Sequence, residues 1–508
     1  MSRAGANALV VYQENKPYVR RALGAGQIEY LALTEWSFQD RFFAFLLATG
    51  FLPFAQMSFP TPRVKEEIPV WFLTACALVM KLHAEWAYSS LGYLLKSGAV
   101  LARVGFNVGE HPGGGFNSKN KKPRETAVDP DAVRKFYKDT PAVYLFRWFN
   151  MDVARWLDQQ EAFDPEGRFI IDLTLLPVPR NPNYKHVAWL PLDAEGHYVD
   201  TSQLTPSERK KFRPTPCYAL VSLLHVQPWA GGYIYAGAYL LSGKCNPVYT
   251  AERLLRRFIE AVGPGVVKQL ILDRGFIDGK FVTGLKRHHG IDVLIPLRCN
   301  MNALKEAQDL IRYDKLPWSD YSVKEDSEGK TTREEVAGVQ AIREWEVCEE
   351  PLYVGVMRTT KSDGQVECWG LASTRAYKNP ADAFRDYEKR TEIEERHRQL
   401  KLCWNLLRFP STDFNAIAAH VYSILLTYTL VELYLKKENL SDLTPATIRT
   451  LQHEERLGKD AVIVYVGRYF ATFDLDEYTD IILHLRPEPL QRMRNWIRVF
   501  RQTKMRSP

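Results

Sequence analysis

GRFIIDLTLL (167–176) sets one carboxylate, Asp172, inside an otherwise apolar run. Bounded apolar runs of this length read as buried strands. A carboxylate placed in one costs free energy unless it is paired or binds a cation. Asp172 is therefore either a ligand or a strand-end aspartate bonded to nearby backbone. Downstream, CYALVSLLHV (217–226) and GGYIYAGAYLL (231–241) read as two more strands joined by a short PWAGG turn region. TAERLLRRFIEAV (250–262) is an amphipathic helix, and KQLILDRG (268–275) is a short apolar strand ending in a second carboxylate, Asp273. GKFVTGLKRHH then reads as helix and GIDVLIPL as strand. The order β-β-β-α-β-α-β describes a mixed sheet with helices on its faces. An RNase H-like fold has this order, although order alone fixes neither fold nor function. In such a sheet the first and fourth strands are neighbours, so Asp172 and Asp273 converge. Taken alone, Asp273 equally suits a turn or a helix cap.

A third acidic candidate lies in YEKRTEIEERHRQLK (387–401), a stretch dominated by charge. Tyr387, Arg390, Glu394 and Lys401 stand at i, i+3, i+7 and i+14, which on one helix gives a stripe about 40–60° wide. A phenol, a guanidinium, a carboxylate and an ammonium on one face can grip phosphates and hold one metal ligand. An ordinary surface helix laced with i,i+4 pairs would look similar. Brought together, Asp172, Asp273 and Glu394 offer three hard oxygen ligands of the kind that suits Mg²⁺. Two such ions about 3.5–4 Å apart activate a water or 3′-hydroxyl and stabilise the leaving oxygen of a phosphodiester.

The rest of the chain frames this centre. At 508 residues it has room for two to four domains, and 46% hydrophobic with 25% charged residues is a globular composition. A net charge of +7 permits a polyanionic partner without requiring one. Seven cysteines, none in a C-x-x-C pair, point to reduced thiols in a cytoplasmic protein and to no zinc site. The start MSRAGANALVVYQENK has too short an apolar run for a signal peptide, and Ile68–Met80 and His420–Leu435 read as core helices too short to span a membrane. Residues 1–108 are expected to be mostly helical, 109–160 a glycine-rich basic linker followed by helices, and 437–508 helical again. The sheet region runs over 161–296 and resumes over 373–436. Between the two parts, 297–372 is a β-rich insertion in which WEVCEE, LYVGVMRTT and VECWGLAST are strands and KSDG a hairpin turn. PSERKKFRP (206–214) and KNKKPR (119–124) read as exposed loops that can also track phosphates. The basic face Arg492, Arg494, Arg498 and Arg501 around Trp496 suits either DNA or solvent. His288-His289 reads as a helix end, and Trp318 and Trp345 as core.

The intervals Y-x2-R-x3-E-x6-K from Tyr387 to Lys401, with FIIDLT, LILDRG and about 120 residues between Asp273 and Glu394, resemble the DDE transposases of the insertion sequence four family. The similarity covers about 165–430. It implies an α/β fold: an RNase H-like core interrupted by the β-rich insertion and flanked by helical N- and C-terminal regions. It also implies cut-and-paste transposition through DNA hairpins, in a homodimer holding paired transposon ends and, later, target DNA. By position, Asp172, Asp273 and Glu394 would bind Mg²⁺, with Mn²⁺ as a substitute. Tyr387, Arg390 and Lys401 would contact end phosphates, joined by His397 and Arg274, and Trp369 in ECWGLAST would stack on a flipped base. The terminal regions would recognise the ends and assemble the complex, in a nucleoid-associated prokaryotic protein. A catalytically idle DNA-binding descendant and an RNase H-like nuclease or resolvase are the competing functions. All three acidic residues stand against the first, and the Y-R-E-K stripe and the insertion against the second.

Overall fold

The computed structural model describes residues 12–36, 38–64, 68–95, 128–193, 196–202, 204–227, 232–325, 331–440 and 459–504, so the glycine-rich stretch with KNKKPR lies outside the described residues. The chain divides into two units: Ala142–Leu402 with Ser411–Thr444, and Met1–Pro141 with Cys403–Pro410 and Pro445–Pro508.

In the second of these units, strands from both ends of the chain share one sheet. β1 (Gln13–Glu14) and β2 (Tyr30–Trp36) join β13 (Lys459–Val466) and β14 (Tyr469–Asp474) in the order β1-β14-β13-β2. The hairpin β13–β14 turns at Gly467, whose φ of +58° favours a residue without a Cβ. Side chains alternate between faces with period two. Val462, Val464, Ala471 and Phe473 pack with Val19, Ala22 and Leu23 of the helix Lys16–Gly24. Ile463, Tyr465 and Phe470 make a separate cluster with Tyr12. Helices Phe38–Ala48, Phe51–Ser58, Val70–Leu82, Leu475–Leu483 and Pro487–Lys504 are present as expected. The strands of this sheet were not expected. The last helix carries Arg492 and Arg494; the side chains of Trp496, Arg498 and Arg501 lie outside the described residues.

The larger unit holds a ten-stranded sheet. Its strands are β3 (Arg168–Pro177), β4 (Ala188–Pro191), β5 (Pro214–Val226), β6 (Tyr233–Ser242), β7 (Gln269–Leu272), β8 (Asp292–Pro296), β9 (Ser319–Glu325), β10 (Thr331–Ile342), β11 (Leu352–Thr360) and β12 (Val366–Ser373). Five of them run β6-β5-β3-β7-β8, with β3-β7-β8 parallel and β5 antiparallel to its neighbours. In chain order that is third, second, first, fourth, fifth, the mixed α/β arrangement expected of an RNase H-like core. β3 and β5 are buried along nearly their whole length, which is why they read as continuous apolar runs rather than alternating ones. Two well-signalled helices pack on the sheet. Pro247–Val262 is capped by Asn246, which accepts from the Tyr249 amide. Gly279–His289 is capped by Asp278 and ends at Gly290 with φ +67°, so His288-His289 are indeed a helix end.

The insertion is an extension of this sheet: β12 pairs antiparallel with β8, and β11, β10 and β9 follow outward. KSDG forms the expected hairpin turn, with Gly364 at φ +80°. WEVCEE is not a strand. It makes the reversal between β10 and β11, where Cys348 N donates to Trp345 O and Val347 sits at φ +62°. Trp345 is buried there, and Trp318 is half-buried beneath the Arg358 guanidinium, 4.3 Å from the ring centroid. A helix not foreseen in this block, Asn302–Tyr313, buries Ala303, Leu304, Ala307 and Ile311.

The helix Phe414–Lys437 is longer than expected. By length and composition it could cross a membrane, with mean hydropathy 1.5, but 94% of its apolar window is buried inside the protein. It lies against β6, where Tyr422 Oη donates to Ala238 O (2.5 Å) and Tyr235 N donates to Thr429 Oγ1 (3.1 Å).

Candidate active site

Asp172 and Asp273 stand one residue beyond a matched pair. Ile171 faces Leu272 in the parallel ladder of β3 and β7, so both carboxylates leave the sheet at the same level. Asp172 is 9% exposed, while Asp273, just past the end of β7, is partly open. Glu394 arrives from the helix Thr391–Leu402, which packs near β3.

The Y-R-E-K residues do not lie on one uninterrupted helix. Pro380–Glu388 ends, the chain turns through Lys389 and Arg390, and a second helix begins at Thr391. The Thr391 hydroxyl donates to Glu388 O (2.7 Å), satisfying a terminal carbonyl of the first helix. The break still gathers the side chains. Arg390 Nη1 lies 2.8 Å from Glu394 Oε1 and 3.8 Å from Asp273 Oδ1, and its guanidinium is 5.7 Å from the Tyr387 ring centroid. Burial works against the charge of Arg390, but Tyr387, Asp273, Glu394 and Asp172 together hold its pKa above the ordinary value. One guanidinium thus feels all three carboxylates.

Burial pushes the Tyr387 phenol up to about 12, with Arg390 and Arg274 acting in the opposite direction. Lys401, half-buried in the last turn of the glutamate helix, has its pKa lowered by burial, and Asp172 opposes the shift. Arg274 is exposed beside Asp273. Trp369, on β12, is half-buried with one edge on Phe384 (centroids 5.2 Å apart, rings at 89°) and 6.0 Å from Tyr387. Its ring borders the Tyr387 side of the centre rather than being sealed within the insertion.

His397 does not stand where a DNA contact must. Its side chain is 4% exposed, enclosed between Asp172, whose Oδ2 is 3.6 Å from Nδ1, and Ser222, whose Oγ is 2.9 Å from Nε2. A ring so enclosed cannot reach a phosphate. Ser222 went unnoticed in the sequence, although a lone serine inside CYALVSLLHV was the available signal. In PSERKKFRP, Pro206–Arg209 forms a short helix with a Thr205–Glu208 capping box and the following Lys210 and Lys211 are exposed, as a loop reading expects.

Residues 164–430 match the family model described as the transposase DDE domain, and this span is just over half of the 508 residues. The chain belongs to this family. No curated protein matches the chain. Membership makes the protein a DNA-binding transposase whose chemistry is nucleotidyl transfer, in a family that works with divalent metal ions, generally Mg²⁺. Two aspartates and a glutamate are the hard donor set such an ion requires. Among the described residues, no three acidic, histidine or cysteine side chains stand close enough to hold a metal as placed. Arg390 is the cation shared by Asp273 and Glu394 instead. The donors therefore fit the ion chemically, and seating it requires the guanidinium to give way.

Proposed function

We propose that this transposase cuts and pastes DNA in the manner of the insertion sequence four group, with Asp172, Asp273 and Glu394 as the metal ligands. The observation that carries this is the placement of Glu394 and Asp273 on the single Arg390 guanidinium, 2.8 and 3.8 Å away, with Asp172 next to Asp273 across the β3–β7 ladder. A bound Mg²⁺ pair, or Mn²⁺ in its place, would activate a water or hydroxyl and neutralise the charge developing on the scissile phosphate. The chain's own side chains do the positioning. Arg390 exchanges its carboxylate partners for a phosphate of the transposon end, Tyr387 and Lys401 hold neighbouring phosphates, and Arg274 extends the contact on the exposed side.

Trp369 is suited to receive a base flipped from the end while the two strands are joined as a hairpin. A base stacked on an aromatic ring gains about 1–3 kcal/mol. Its half-buried ring, braced by Phe384 and close to Tyr387, supports this role. End recognition and assembly of a homodimer that pairs two ends and captures target DNA belong to the unit built from both chain termini. The place of action is the nucleoid of a prokaryotic cytoplasm.

Asp172→Asn, Asp273→Asn and Glu394→Gln, each assayed by gel shift and by nicking of the same end DNA, test this assignment. Each is expected to abolish Mg²⁺-dependent nicking while leaving end binding largely intact. Normal nicking by any one variant removes that residue from the site.

A further inference from the structure

The structure assigns His397 and Ser222 one shared role as a buried relay that fixes the orientation of the Asp172 carboxylate, which makes His397 a positioning residue and not a DNA contact. This rests on Asp172 being a metal ligand of the active centre.

Four elements converge on the relay. In the antiparallel ladder of β3 and β5, Asp172 sits directly opposite Ser222, so the two side chains share a face. His397 lies one turn after Glu394 on the same helix, so the helix that presents the glutamate also brings the imidazole under Asp172. From β6, the Tyr235 ring lies nearly parallel to the imidazole, with centroids 6.5 Å apart and 21° between planes. Ser222 is fully buried. Asp172, Ser222 and Tyr235 thus surround the ring.

Both ring nitrogens face an oxygen. Nε2 is 2.9 Å from Ser222 Oγ, within hydrogen-bond range, and Nδ1 is 3.6 Å from Asp172 Oδ2, an electrostatic contact longer than a formed hydrogen bond. The partner of one imidazole nitrogen decides which nitrogen carries the proton. With the serine hydroxyl donating to Nε2, the proton sits on Nδ1 and points at Oδ2. That engages one carboxylate oxygen and leaves Oδ1 for a cation. A carboxylate inside an apolar strand has few other groups to set its angle, and partners that orient a ligand typically change metal affinity or activity by about 10–100-fold when lost.

Full-length His397→Ala, His397→Asn and Ser222→Ala are compared with the parent and with Asp172→Asn. The readouts are Mn²⁺ binding by the complex with end DNA, from the electron paramagnetic resonance signal of free Mn²⁺ against the same DNA alone, the Mg²⁺ concentration giving half-maximal nicking, and end binding in a metal-free gel shift. His397→Ala is expected to weaken Mn²⁺ binding and raise the Mg²⁺ requirement by about 10–100-fold, with end binding within twofold of the parent. Asn, whose amide can stand in for Nδ1, is expected to restore most of the loss, and Ser222→Ala to fall between. Parental Mn²⁺ affinity in His397→Ala overturns the proposal, as does weakened end binding with an unchanged metal titration. If His397→Ala fails to fold, parental affinity in both His397→Asn and Ser222→Ala overturns it. An Asp172→Asn protein that nicks and binds Mn²⁺ normally would instead defeat the underlying active-centre assignment. A defective Asp172→Asn beside normal His397 variants defeats the relay alone.

Discussion

Arg390 shows how much a single side chain decides in this molecule. It lies against Asp273 and Glu394, and under the proposed function it exchanges them for a phosphate of the transposon end, so its loss should act twice. Arg390→Ala is expected to weaken end binding with little change in sequence preference and to lower the slope of log K against log salt by about 1, and Lys401→Ala likewise. Salt-dependent binding titrations check both; an unchanged slope would make the pair structural. Trp369→Ala should leave first-strand nicking near normal and slow hairpin formation or opening several-fold, with Phe rescuing in part. A time course of nicked, hairpin and opened products on end-labelled DNA separates this from a packing role, in which all steps would fall together. At this scale the sequence was informative where chemistry and spacing coincide. Asp172, Asp273, Tyr387, Arg390 and Glu394 do gather. His397 was misplaced because its interval from Glu394 is visible in the sequence whereas its burial depends on Ser222, 175 residues away.

Elements were legible where one of them carries its own caps and period, as in Pro247–Val262 and Gly279–His289. They were misread where a tertiary partner decides. The Tyr387–Lys401 intervals fit one helix, but the chain breaks at Lys389 and Arg390, which swings the guanidinium between two carboxylates. WEVCEE has strand-like residues but serves as the turn that closes β10 onto β11. In the long helix Phe414–Lys437, Glu432 is buried, and burial raises its pKa to about 8 against the opposing effects of Tyr428 and Arg396 and of a backbone bond to Tyr233. A folded pKa above the unfolded value of about 4.3 means that its contribution is complete below pH 4 and is lost as pH rises through 8. Glu432→Gln is therefore expected to raise the melting temperature at pH 8.5 relative to the parent and to narrow the difference at pH 5. Thermal melts at the two pH values check it; identical pH profiles would show that Glu432 does not titrate in this range.

On the scale of the whole molecule, the four-stranded sheet draws β1 and β2 from one end of the chain and β13 and β14 from the other. Local patterning cannot announce such a pairing, and the hairpin VIVYV–YFATF around Gly467 went unread because 437–508 was expected to be helical. Val462→Asp would bury an unpaired carboxylate in that sheet, which is strongly destabilising. It is expected to expose both chain ends to limited proteolysis while the unit of residues 142–402 and 411–444 stays resistant. Equal resistance in parent and variant would argue against the shared sheet. The five strands β3, β5, β6, β7 and β8, by contrast, follow the order read from the sequence, because each is a self-contained apolar run, whereas the short β4 and the more polar β9 and β10 were not read. The central claim is that Asp172, Asp273 and Glu394 are ligands of one metal-dependent centre. Cysteine at each position tests it most directly, since a thiolate is a soft ligand poorly matched to Mg²⁺ and better accepted by Mn²⁺. Nicking of end DNA by Asp172→Cys, Asp273→Cys and Glu394→Cys should be lost in Mg²⁺ and partly restored in Mn²⁺, with end binding retained throughout. Nicking at the parental rate in Mg²⁺ by any of the three would contradict it.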